Sequence, residues 1–111
     1  MIEKHIRIFE KGLLKYDYVL DNYMDRFSQI KKYEYNAQNQ IVSIKEGESF
    51  DGPLYPYQDF YYENGKLVKL SEVFGNKRVF TDFSYDNKGR ILKEKRYQDD
   101  QLVFSAVDYK Y

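Results

Sequence analysis

Side chains able to carry out chemistry are sparse in this sequence. His5 is the single histidine, and a histidine metal site or a nucleophile-histidine-acid system would depend on it alone. The chain has no cysteine, so it has neither a disulfide framework nor a thiolate zinc site. Asp99 and Asp100 lie in "YQDDQL", where adjacent acids are typical of a solvated turn. Because the six glycines are dispersed, no phosphate-binding loop is present. The sequence predicts no catalytic residue, metal or cofactor, and hence no enzyme.

The residues best suited to binding lie in one irregular segment, 46–58, with the sequence EGESFDGPLYPYQ. It holds both prolines and several aromatic residues, and long loops that carry exposed aromatics are often functional. The acidic residues in and beside it, Glu46 among them, would complement a basic protein. The candidate partner-binding residues are Glu48, Phe50, Asp51, Tyr55, Tyr57 and Asp59. The plain alternative is a covering loop, in which Phe50, Leu54 and Tyr55 pack over a face or an edge of a sheet.

Composition restricts the partners and the location. Eighteen Lys and Arg residues balance eighteen Asp and Glu residues, so the positive charge that drives nucleic-acid binding is missing. No window approaches the roughly 18 apolar residues of a membrane helix, and "MIEKHIRIFEKG" has no apolar signal-peptide core. We therefore expect a cytoplasmic protein that binds neither nucleic acid nor membrane, folded as one domain over residues 1–111.

An internal repeat organises the chain. An aromatic residue recurs every 23 to 27 residues, at Phe9, Tyr35, Tyr62, Tyr85 and Tyr111, so the period has irregular joints. A polar turn and a short apolar pair follow each of the first four, the pairs being Leu13-Leu14, Ile41-Val42, Leu67-Val68 and Ile91-Leu92. Strand, turn and strand form the simplest unit that fits this pattern.

Turn chemistry supports the same unit. Asn64-Gly65 between two β-rich runs predicts a type I′ hairpin turn, which requires positive φ at both positions. In "DNKGR" a longer turn would place Gly89 in the left-handed region, and Asn39 takes that place in "NAQNQ". Asp86 and Asn36 would then cap the backbone of their own turns.

These features predict an all-β protein, a single strongly twisted antiparallel meander of about nine strands built from hairpins. The twist would allow the sheet to curl or to close partly. The predicted strands span 4–9, 13–20, 25–36, 40–46, 57–63, 66–74, 77–86, 89–97 and 101–110. Within residues 16–30, one face of a helix could also be lined by Tyr16, Leu20, Tyr23 and Phe27. The repeat favours two strands with a turn at Asp21-Asn22. Strand residues 108–111 would leave an edge able to pair with a second copy as a homodimer.

The segment "FSYDNKGRILKEKRYQDD", residues 83–100, resembles the YD repeat of Rhs and teneurin-type proteins. Its signature positions are occupied by Tyr85, Asp86, Gly89, Arg90 and Ile91. In "YEYNAQNQIVSIKE" the positions of Asp, Gly and Arg are taken by Asn36, Asn39 and Gln40, and "FYYENGKLVKL" has a turn shorter by one residue. The resemblance implies β-hairpin repeats. In that family many repeats form a shell around a toxin, a role for which this chain has too few units.

The chain also resembles immunity and antitoxin proteins of bacterial polymorphic-toxin systems, in size, in lacking a secretion signal and in repeat type. That resemblance implies a cytoplasmic protein that neutralises a cognate toxin, such as a basic nuclease, by direct binding. Two alternatives stay open. One is a structural or carbohydrate-binding repeat module of a surface protein, and the other is a small-ligand carrier whose curled sheet closes on an aromatic cavity.

Overall fold

The computed structural model describes residues 3–21, 26–48, 52–99 and 103–111, and all regular secondary structure in them is β-strand. The strands are β1 (Glu3–Glu10), β2 (Leu13–Asp21), β3 (Arg26–Tyr35), β4 (Ile41–Gly47), β5 (Tyr55–Glu63), β6 (Lys66–Phe74), β7 (Lys77–Tyr85), β8 (Ile91–Gln98) and β9 (Val103–Asp108). Their order in the sheet is their order in the chain, neighbours are antiparallel, and the sheet is not closed. The predicted all-β meander is confirmed.

Residues 16–30 form strands rather than a helix. β2 continues to Asp21 and β3 begins at Arg26, so this part of the chain contributes two neighbouring strands. The predicted joint begins at Asp21, the last residue of β2, and Asn22 lies outside the described residues.

The chain divides into two compact units, Met1–Tyr57 and Gln58–Tyr111. In the first unit the buried core consists of Tyr18, Ile30 and Ile44. In the second unit Val79 and Ser71 are buried. Most other strand residues are half-buried, which suits tyrosine because its ring packs across strands while its hydroxyl stays hydrated. The prediction of one domain over 1–111 stays a prediction.

The hairpin turns have the backbone conformations that the sequence predicts. Asn64 and Gly65 have φ values of 51° and 78°, both positive as a type I′ turn requires. Lys11-Gly12 repeats this geometry in the first hairpin, with φ values of 53° and 80°. Gly89 (φ 82°) and Asn39 (φ 63°) occupy the left-handed region in the two longer turns.

Asp86 and Asn36 cap their own turns, as predicted. One carboxylate oxygen of Asp86 accepts hydrogen bonds from the amides of Lys88 and Arg90, each at 2.9 Å. The other accepts one from Nε of Arg90, also at 2.9 Å. The side-chain oxygen of Asn36 accepts from the two corresponding amides of its turn, at 2.9 and 3.0 Å. These signature positions of the repeat therefore have a structural role.

A β-bulge accompanies the repeat aromatic in each hairpin. The register shifts lie between Ile8 and Phe9, Glu34 and Tyr35, Tyr61 and Tyr62, and Ser84 and Tyr85. In the last of these, Tyr85 faces Ile91 while Ser84 faces Lys93, so Leu92 is the extra residue. In the pairs Ile41-Val42, Leu67-Val68 and Ile91-Leu92 the first residue faces the aromatic and the second is the bulged residue. In the first hairpin Leu14 faces Phe9 and Lys15 is the bulged residue.

Tyrosine hydroxyls connect consecutive hairpins. In three repeats the hydroxyl of the repeat tyrosine donates a hydrogen bond to a backbone carbonyl of the preceding hairpin. The accepting carbonyl belongs to the residue that faces the preceding repeat aromatic. The bonds run from Tyr35 to Leu14 (2.7 Å), from Tyr85 to Leu67 (2.6 Å) and from Tyr111 to Ile91 (2.8 Å). The tyrosine period of the sequence is therefore also the period of these connections.

Candidate functional site

The irregular segment is shorter in the structure than the sequence suggests. β4 extends to Gly47, and β5 already begins at Tyr55 rather than near residue 57. Pro56 lies inside the start of β5, where its fixed φ and the extended preference of the preceding residue are compatible with a strand. Of the candidate residues, Phe50 and Asp51 lie outside the described residues.

Gly47 allows the segment to return closely over the end of β4. A Cβ atom at this buried position would lie 2.9 Å from Cδ2 of Leu54 and 2.9 Å from the carbonyl oxygen of Pro53. Leu54 is half-buried, as the covering-loop alternative expects. Tyr55 is 62% exposed, so it does not cover the sheet. The described part of the segment is anchored by Leu54 and presents Tyr55 to solvent.

A pocket of about 520 Å³ lies beside this segment, within the first unit. Its lining includes Val19, Gln29, Glu46, Glu48, Tyr55 and Tyr57. The structure thus brings together three of the candidate residues, Glu48, Tyr55 and Tyr57. Val19 and Gln29, which sequence reasoning missed, face each other across β2 and β3.

The described lining is acidic and aromatic. It contains two carboxylates, those of Glu46 and Glu48, and neither Lys nor Arg. Glu46 accepts a hydrogen bond from Nε2 of Gln29 at 2.9 Å, whereas Glu48 is exposed. The ammonium group of Lys31 lies 5.4 Å from the ring centroid of Tyr57 and makes a cation-π contact. The arrangement offers hydrogen-bond acceptors and flat apolar surface to a cationic or polar group.

Asp59 is not among the residues that line this pocket. It belongs to the second unit, where its carboxylate lies 3.5 Å from the guanidinium of Arg78. Arg78 in turn donates a hydrogen bond to the hydroxyl of buried Ser71, at 2.7 Å. These contacts give Asp59 a role within the sheet.

Residues with possible catalytic or metal-binding chemistry do not converge in the described chain. Nδ1 of His5 lies 3.4 Å from a carboxylate oxygen of Asp17, within hydrogen-bonding distance. Across the described ranges no group of three or more His, Cys, Asp or Glu residues could hold a metal ion. Asp99 is exposed, and Asp100 lies outside the described residues. No helix in the described part of the chain has the length and apolar character needed to cross a membrane.

A scan against protein-family models finds no family that matches this chain, and a search of curated proteins finds no matching relative. The resemblance to YD repeats therefore stays a prediction based on the repeat residues, and the resemblance to immunity proteins stays one based on size, the lack of a secretion signal and repeat type.

Proposed function

We propose that this chain is a non-enzymatic binding protein, and specifically a cytoplasmic immunity protein that neutralises a cognate bacterial toxin by direct contact. The observation that carries the proposal is the convergence of Glu48, Tyr55 and Tyr57 on one pocket. The irregular segment and neighbouring strands β2 and β3 form that pocket together, so its shape depends on the folded sheet.

The two tyrosines suit an interface because each offers a large, rigid contact area with few rotatable bonds. Tyrosine is enriched among the residues that contribute most to binding, especially near the centre of an interface. Tyr55 and Tyr57 both lie on β5, and a residue on a strand needs less ordering when it binds than one on a flexible loop. Tyr55 is largely exposed, so most of its ring is available to a partner.

The charge of the pocket favours a basic partner. Glu46 and Glu48 are the charged residues that line it, in a chain whose formal net charge is zero. Complementary charge accelerates association and disfavours wrong partners. A toxin that acts on nucleic acid carries basic residues for its substrate, and an acidic surface could occupy the same residues.

A structural repeat module is the second candidate. The tyrosine bonds that connect consecutive hairpins favour it, because such connections allow repeats to stack. The ligand-carrier alternative is disfavoured because the sheet is open. A surface module would bind glycans or cell-wall material, whereas an immunity protein would bind one protein.

Site-specific photo-crosslinking in the native host tests the proposal. A photoreactive phenylalanine analogue replaces Tyr55, and the matched control carries it at Tyr61, which is 49% exposed in the second unit. We expect one protein to be crosslinked from position 55 and not from position 61, and its co-expression with this chain to relieve its toxicity. Equal labelling from both positions, or a captured protein that is harmless when expressed alone, would contradict the proposal.

A further inference from the structure

The outer edge of β9 is an exposed and largely apolar strand surface. Every residue of Val103–Asp108 is exposed, and among the described strands only β8 pairs with β9. The exposed apolar residues on and after this strand are Val103, Phe104, Val107, Tyr109 and Tyr111. An edge strand presents unpaired backbone groups, so an apolar one with few charges is a template for another strand.

The other edge strand, β1, carries more charged residues than β9. Its sequence EKHIRIFE includes Glu3, Lys4, Arg7 and Glu10, and charged residues on an edge strand discourage pairing with another chain. β9, with the sequence VFSAVD, has Asp108 as its one charged residue. Thus β1 has the protection typical of a solvent-facing edge, and β9 lacks it.

The backbone direction of β9 limits how a strand can be added. The amide of Tyr109 donates to the carbonyl of Leu92 at 2.8 Å, so this amide points toward β8. Backbone groups alternate in direction along an antiparallel strand, so those of Val107 also point toward β8. The amides and carbonyls of Ala106 and Asp108 then point to the open side.

We propose that two copies of this chain associate through antiparallel pairing of their β9 strands, with the two-fold axis at Val107. In this register Ala106 of each copy exchanges backbone hydrogen bonds with Asp108 of the other. Val107 faces its own counterpart as a pair without mutual backbone hydrogen bonds, the closer kind of cross-strand pair. The association pairs residues of the second unit, whereas the residues that line the pocket at Tyr55 belong to the first.

The side chains of β9 are self-complementary in this register. Val107 faces Val107 and Ser105 faces Tyr109, which places the valine pair between two tyrosines. On the opposite face Ala106 meets Asp108. The pairing is confined to the regular part of the strand, because a bulge at Phe104 shifts the register with β8. No two like charges face each other, whereas moving the axis by one residue to Asp108 would oppose two carboxylates and be destabilising. The strand therefore fits a second copy of itself.

Cysteine crosslinking tests the register directly, because the chain contains no cysteine of its own. Val107→Cys should form an intermolecular disulfide quickly under mild oxidant, since directly facing residues are close enough for one. Ser105→Cys is the matched control on the same strand and face. In the proposed dimer the two substituted positions, one in each copy, would be offset by four strand positions. They would lie about 13 Å apart, which is too far for a disulfide. Crosslinking of Ser105→Cys as fast as Val107→Cys, or slow crosslinking of both, would overturn the proposal.

Sedimentation equilibrium of edge variants tests the association itself. The wild-type chain should reach twice the monomer mass as its concentration rises. Val107→Lys should stay monomeric because two ammonium groups would face each other. Ile6→Lys, at a similarly exposed site on β1, should still dimerise. The proposal is overturned if the wild-type chain stays monomeric at every concentration or forms assemblies larger than a dimer. It is also overturned if Ile6→Lys abolishes the dimer while Val107→Lys keeps it. Far-UV circular dichroism shows whether each variant is folded. If Val107→Lys is unfolded, the comparison of Val107→Cys with Ser105→Cys tests the proposal instead.

Discussion

The hydroxyl of a repeat tyrosine joins one hairpin to the next through a single hydrogen bond. Tyr85→Phe removes the 2.6 Å bond to the carbonyl of Leu67 and keeps the ring. We expect the free energy of unfolding to fall by about 0.5–1.5 kcal/mol, the usual contribution of one such bond. Urea denaturation measures it, with Tyr61→Phe as the control for loss of a hydroxyl from an exposed tyrosine. Equal effects of the two substitutions would show that the connection contributes nothing.

Asp86 makes part of the stability depend on pH. The backbone amide of Arg90, with smaller contributions from the Arg90 side chain and the Lys88 amide, holds the pKa of Asp86 below its usual value of 3.8. Because the folded-state pKa is lowered, the stabilisation by the carboxylate is present above the usual pKa and is lost as pH falls through the folded-state value.

Asp86→Asn tests this dependence, because asparagine already caps the equivalent turn at Asn36. The wild-type chain should melt at a higher temperature than the variant near neutral pH. The difference should shrink as pH falls below the usual pKa of Asp86 and disappear below the folded-state pKa. Melting curves followed by circular dichroism measure this difference. A difference that stays constant down to about pH 2 would contradict the assigned role of the carboxylate.

At the scale of elements, Gly47 determines how the connection between β4 and β5 packs. Gly47→Ala would place a methyl group 2.9 Å from both Leu54 and the Pro53 carbonyl. Overpacking of this kind typically costs about 1–3 kcal/mol, and here it would displace the segment that begins the pocket wall. Denaturant melts should show the loss, with Ser43→Ala in the same strand as a milder comparison. An unchanged stability for Gly47→Ala would mean that the segment is not held against β4.

The strands could be predicted well because their signals are local. Turn residues such as Asn64-Gly65 and Asp86 determine each hairpin within a few positions. The sequence places the start of β5 near residue 57 because a segment with two prolines is typical of a loop. The strand begins at Tyr55, since a proline is compatible with the beginning of a strand.

The pocket could be predicted only in part, because some of its residues come from strands that are distant in the sequence. Glu48, Tyr55 and Tyr57 are close in sequence, so one irregular segment identifies all three. Val19 and Gln29 come from other strands, and their meeting depends on the register between β2 and β3. That register shifts by a bulge next to Val19, a feature with no simple sequence signal.

At the scale of the whole molecule, two surfaces have different properties and different proposed partners. The acidic and aromatic pocket lies in the first unit, and the apolar edge strand β9 lies in the second. A partner bound through Glu46 and Glu48 should dissociate more readily at high salt, because screening weakens exposed charges. Pairing of β9 strands rests on apolar and backbone contacts, so salt should affect it little. Binding measured by calorimetry and dimerisation measured by sedimentation, each at low and high salt, should therefore respond differently, and a parallel response would contradict this division.

Growth rescue in a heterologous bacterium tests the central claim most directly. The suspected toxin, encoded by the reading frame immediately upstream in the native host, is expressed with the wild-type chain, with Tyr55→Ala/Tyr57→Ala or with Tyr61→Ala. We expect the wild-type chain and Tyr61→Ala to restore growth and the pocket variant to fail, with all three folded to similar extents. Absence of rescue by the wild-type chain would contradict the immunity function, and full rescue by the pocket variant would contradict the pocket as its binding surface.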